Sequence, residues 1–113
     1  MKQKDEIKTL VQSIIHLHET KDFEGLLAYI SEAEIKAGTW FSQKRFIEVC
    51  EAIETEIGSI TSLEFLGALN RKTSYLTLWK ATYSKSNDEV LWQIIFDTGS
   101  NKIRLMHINW EHI

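Results

Sequence analysis

The chain has 113 residues, 43% of them hydrophobic and 26% charged, with a formal net charge of −3. That length fits one compact domain spanning 1–113, and the balance of apolar and charged residues excludes a disordered or fibrous chain. A pI near 5.8 argues against generic nucleic-acid binding, which needs clustered Lys and Arg.

The first residues, Met1-Lys2-Gln3-Lys4-Asp5-Glu6, hold no apolar signal core. No apolar run approaches the ~20 residues that cross a bilayer, so no membrane partner is expected and a cytoplasmic location is the default. Residues 4–20 then carry Ile7, Leu10, Val11, Ile14, Ile15 and His18 at helical spacing, one stripe facing a core. Asp22 is placed to cap a short second helix through Phe23, Leu26, Leu27 and Ile30. Ser31-Glu32-Ala33-Glu34 fits a capping box that opens one or two further turns and ends at Gly38. Thr39-Trp40-Phe41 is a connector or a short edge strand. Ser42 caps a long helix over 43–57, whose apolar stripe is Phe46, Ile47, Val49, Cys50, Ile53 and Ile57. Gly58 suits the left-handed position that ends it, with Ile60 as the apolar clasp.

Beyond Gly58 the hydrophobic period changes from 3.6 to 2. Four strands are predicted, near 60–70, 74–84, 89–98 and 102–110, separated by short polar turns. The expected fold class is therefore α+β, with N-terminal helices packed on a curved four-stranded antiparallel sheet. Pairing Trp79 with Ile94, and Phe96 with Leu105, keeps apolar side chains together and brings Asp97 beside Arg104. It assigns Leu63, Phe65, Leu69, Trp79, Tyr83, Trp92, Leu105, His107 and Asn109 to an inner face. The outer face receives Ala68, Leu76, Leu78, Lys80, Gln93, Ile95, Met106, Ile108 and Trp110.

Three helices can cover only one face, the more aromatic one. The outer face remains apolar enough to mark a contact surface. A homodimer is expected there, through Leu76, Leu78, Lys80, Gln93, Ile95, Met106 and Ile108. The alternative is an ordinary sheet surface partly covered by long charged stems.

The element order, together with Leu78-Trp79-Lys80-Ala81-Thr82-Tyr83 and Val90-Leu91-Trp92-Gln93-Ile94-Ile95-Phe96-Asp97, resembles the nuclear transport factor 2-like superfamily of cystatin-like α+β folds. The likeness lies in pattern over nearly the whole chain. It implies a bent sheet wrapped around a helix as a cone, and a cavity between the helices and the inner face. Tyr29, Trp40, Trp79, Tyr83, Trp92 and His107 would line it and suit a small apolar ligand. A fully packed core is the competing reading. Members of the superfamily range from isomerases and dehydratases to immunity proteins, adaptors and non-catalytic binding modules, so the fold does not choose among them.

His107 is the only titratable group besides tyrosine assigned to the inner face, and it is the weak catalytic candidate, as general base. No Asp or Glu accompanies it there, although Glu19, Asp22 or Glu34 could reach in from a helix. His16 and His18 point to different sides of one helix and cannot share an ion. With one cysteine and no Gly-rich phosphate loop, neither a metal nor another cofactor is expected. The expected function is a non-catalytic, homodimeric module binding a small molecule or a protein. The alternatives are a cofactor-free isomerase- or dehydratase-like enzyme using His107, and an immunity or adaptor protein acting through its surface.

Overall fold

The computed structural model describes residues 4–38 and 41–110. Four helices, α1 (Lys4–Glu19), α2 (Phe23–Leu27), α3 (Glu32–Ala37) and α4 (Gln43–Glu56), precede four strands. These are β1 (Ile60–Asn70), β2 (Ser74–Tyr83), β3 (Val90–Asp97) and β4 (Ile103–Asn109), hydrogen-bonded in the order β1-β2-β3-β4, each pair antiparallel. The fold is α+β, an open meander with helices packed on one face.

Local chemistry sets the helix boundaries. The Asp22 carboxylate accepts the Gly25 N–H at 2.9 Å, and the Ser42 hydroxyl accepts the Arg45 N–H at 3.3 Å. Ser31 caps α3 by accepting the Glu34 N–H at 3.4 Å, and Gly38 closes it in the left-handed conformation. The reciprocal half of the expected box is redirected. The Ser31 N–H donates instead to the Ile103 carbonyl at 2.9 Å, while the Ile103 N–H donates to Tyr29 O at 2.7 Å. This parallel bridge between Ile30 and Ile103 stops α2 at Leu27, short of the predicted Ile30, and pins the helical half to the start of β4.

At the end of α4, the N–H groups of Ile57 and Gly58 both donate to the Ile53 carbonyl, at 2.8 and 3.0 Å. Gly58 has φ +89, and a Cβ there would run into the Ser84 hydroxyl and lie 2.9 Å from Lys85 Cγ. Glycine is required twice over: by the backbone angle and by the neighbouring chain.

β2 and β3 alternate strictly, with Tyr75, Thr77, Trp79, Ala81 and Tyr83 buried opposite Val90, Trp92, Ile94 and Phe96. Their register differs from expectation by two residues, since Trp79 faces Trp92 rather than Ile94. An even slip leaves every side chain on its face. The cause is visible at the end of β2, where Ser84 and Lys85 donate their N–H groups to Ser59 and Ile57, away from β3.

The pairing of β3 with β4 departs by an odd number, and there the faces invert. Phe96 faces Ile103 but Ile95 faces Leu105, leaving Arg104 as an extra, bulged residue. Beyond it Met106, Ile108 and Trp110 turn inward, packed against the core, while Leu105, His107 and Asn109 turn outward. The expected assignments of these six residues are reversed. The bulge seats three large apolar side chains inside in place of Leu, His and Asn, which buries more apolar area. Asp97 holds it in place. Its Oδ1 accepts Arg104 Nε at 3.1 Å, and its Oδ2 accepts the Ser100 N–H at 2.9 Å, so the expected Asp97–Arg104 pair is present. A second bulge, at Leu66 in β1, likewise sends Ala68 inward and Leu69 outward, opposite to expectation.

Candidate functional site

The inner face is solid beneath the helices. Trp79 and Trp92 are 0% and 1% exposed, and their indole N–H groups are satisfied within the core. Trp79 Nε1 donates to Thr77 Oγ1 at 2.9 Å, and that hydroxyl donates to the Ile94 carbonyl at 2.9 Å. Trp92 Nε1 donates to the Tyr83 hydroxyl at 3.0 Å, and burial pushes that hydroxyl up to about 12. Between α1 and the sheet the packed-core reading describes the protein.

Of the six proposed ligand-binding residues, the five that are described do not line one cavity. Trp79, Tyr83 and Trp92 belong to the core. Tyr29 borders a separate groove with Gln12, His16 and Leu17. Trp40 lies outside the described residues. His107 is exposed on the outer side of β4, opposite Gln93, and makes no hydrogen bond or ion pair among the described residues. Two of the helix carboxylates expected to reach it are used elsewhere: Glu19 Oε1 accepts the Ile60 N–H at 2.8 Å, and Asp22 caps α2.

An open volume does exist, displaced towards the edge of the sheet. A cleft of about 300 Å³ separates the first half of α4 from β4, with Phe46, Val49, Met106, Ile108 and Trp110 forming much of its wall. Arg45 and His107 border it as well, and no carboxylate does so among the described residues. The Arg45 guanidinium has no ion-pair partner among those residues. β4 is an edge strand; its backbone is bridged to the helical half at Ile103, and just beyond it the Trp110 indole N–H donates to Glu56 of α4 at 3.3 Å.

His18 adjoins this cleft from the core side. It is 5% exposed, sits edge-on to Phe46 and Trp92 with ring centroids 5.1 and 5.2 Å away, and burial pushes its pKa down to about 4. The Cys50 thiol, pushed up to about 11 by burial, donates to the His18 carbonyl at 3.2 Å. Its sulfur also lies 3.7 Å from His18 Nδ1. With the S–H given to the carbonyl, the tautomer that uses the sulfur as its acceptor carries the ring hydrogen on Nδ1. Nε2 is then left as a bare acceptor. Such a pair is no nucleophile, because a neutral imidazole beside a protonated thiol is the reverse of an activated cysteine. The signal for His18 was present in the sequence, as one polar ring on an otherwise apolar helical stripe.

The outer face of the sheet presents Leu76, Leu78, Lys80, Gln93 and Ile95 as expected, with Leu105 and Leu69 in place of Met106 and Ile108. Leu66, Leu69 and Leu105 are 50%, 51% and 39% exposed. Charges on this side are matched internally: Lys80 Nζ lies 3.1 Å from Glu89 and 3.8 Å from Glu64, and Arg104 is paired with Asp97.

No helix among the described residues is long and apolar enough to cross a membrane, and no group of three or more His, Cys, Asp or Glu among them is arranged to hold a metal ion. Comparison with protein-family models, with curated proteins and with solved structures gives no match to this chain.

Proposed function

We propose that this chain is a non-catalytic binding module of the nuclear transport factor 2-like kind, paired with a second copy through its outer sheet face and binding a small molecule. The observation that carries the pairing is the outer face itself. Leucines from all four strands stand part-exposed together, while the charges among them are paired within the same chain. Such a surface offers little to a strongly charged partner and suits an apolar, self-complementary one. Four strands ~4.8 Å apart and seven residues long span roughly 450 Å² in projection. The corrugation of side chains raises this towards the ~800 Å² per partner of a standard interface.

A non-catalytic role is supported by the fate of the titratable groups. His18 and His107 each lack a carboxylate partner among the described residues, and Cys50 is held as a thiol. The reading is tested by sedimentation of the purified protein at micromolar concentration. A dimeric mass that falls to monomer in Leu78→Lys, with the circular dichroism spectrum retained, is the expected result. A monomer in the unsubstituted protein overturns it.

A further inference from the structure

We infer that the cleft between α4 and β4 is a binding site for a small aromatic carboxylic acid that carries a hydroxyl or ring N–H at the end remote from its carboxylate. The inference deepens the reading of the chain as a binding module and rests on it for the existence of a ligand. Three features of the cleft, each independent of the others, define the ligand.

The walls set its body. Phe46 and Trp110 face a space that also meets Met106 and Ile108, a cleft of about 300 Å³ that has room for one substituted aromatic ring. Thioether and ring edges are good neighbours for such a ring.

The floor sets its inner end. His18 borders both the cleft and a much smaller void beside Cys50. Cys50 lies against Nδ1 and lines that void but not the cleft, so the opposite side of the ring, with Nε2, is turned to the cleft. No buried side-chain nitrogen or oxygen among the described residues is left without a partner, and Nε2 has no hydrogen-bond partner among those residues. It is therefore the atom that meets the open volume. An acceptor there needs a donor, and an apolar ligand end would leave it unsatisfied.

The mouth sets the outer end. Arg45 is exposed and placed on the rim; it forms no ion pair among the described residues, its helix neighbour Glu48 included, and no described carboxylate lines the cleft. A guanidinium in that position favours a carboxylate, which it can grip with two parallel hydrogen bonds.

The test uses 4-hydroxyphenylacetate, phenylacetate and p-cresol, titrated against the full chain by calorimetry and by tryptophan fluorescence. The hydroxy acid is expected to bind about tenfold more tightly than phenylacetate, which cannot donate to Nε2. Arg45→Gln is expected to weaken the hydroxy acid about tenfold while leaving p-cresol unchanged. In His18→Phe the margin between the two acids should disappear. Should that variant fail to fold, the nitrogen resonance of His18 Nε2 in the unsubstituted protein serves instead, and it should move with 4-hydroxyphenylacetate but not with phenylacetate. Absence of saturable binding by any probe up to ~5 mM overturns the inference, as do equal affinities for the two acids or an unchanged affinity in Arg45→Gln. A dimer that binds no probe sinks this inference and leaves the pairing standing; a monomer that binds the hydroxy acid does the reverse.

Discussion

The His18 imidazole meets the Trp92 indole edge to face, with ring centroids 5.2 Å apart and ring planes at 80°. Helix α1 is thereby joined to the middle of the sheet through a side chain that must be neutral to sit there. Its pKa of about 4 in the fold lies below the 6.5 of a free histidine, so the unfolded chain binds the proton more readily. The stabilisation from keeping this ring neutral is complete above pH 6.5, declines as the pH falls, and is exhausted near pH 4. About 3 kcal/mol of folding free energy is expected to be lost across that window. Urea denaturation at a series of pH values measures it, and in His18→Phe this part of the pH dependence should vanish.

His107 gives the contrasting case. Exposed on the outer side of β4 and without partners among the described residues, it has little to lose on truncation. His107→Ala should change stability by less than about 0.5 kcal/mol, whereas His18→Ala should cost about 2–4 kcal/mol through the lost ring packing. Equal effects in thermal denaturation would contradict the placement of the two rings.

Leu105 and Met106 are neighbours in sequence separated by the thickness of the sheet. Leu105→Lys places a charge on the outer face and should shift a dimer towards monomer with the fold intact. Met106→Lys forces a charge against the core and should cost roughly 2–4 kcal/mol of stability. Sedimentation and denaturation together distinguish these outcomes, and the opposite assignment would be required if β4 ran without its bulge.

Gly58 and Gly38 both have positive φ, +89 and +61, but only one is crowded. Gly38→Ala meets no atom of the described residues within 4 Å and should cost about 1 kcal/mol, the left-handed backbone penalty. Gly58→Ala adds a collision with Ser84 and Lys85, and should cost more than about 2 kcal/mol. Comparison of the two denaturation midpoints checks the difference.

The Asp97 carboxyl is held below the usual carboxylate range, first by the Ser100 backbone N–H and then by Arg104. Its contribution to stability is present above the unfolded carboxylate pKa and is lost as the pH falls through the lower folded value. Asp97→Asn should lower the melting temperature at pH 7 and show a smaller difference from the parent protein at low pH. Amide exchange over residues 98–104 should quicken in the variant, since the same carboxylate fixes both the turn and the bulge.

What the chain's sequence determined by itself was whatever is decided within a few residues. Asp22, Ser31 and Ser42 mark helix starts because a short polar side chain and a free N–H lie two or three residues apart. Gly38 and Gly58 mark ends because the backbone angle is a local property. The alternation along β2 and β3 identified the buried side, since a strand's side chains keep their faces under any even slip of register. Tertiary structure alone decided the rest. One bulged residue, Arg104, turns over all of β4 beyond it, removing His107 from the interior and admitting Met106, Ile108 and Trp110. Where that residue bulges depends on the balance of apolar burial across the whole sheet and on a carboxylate seven positions away. The same balance closed the anticipated cavity over Trp79 and Trp92 and left open a different one, between α4 and an edge strand, with His18 at its floor.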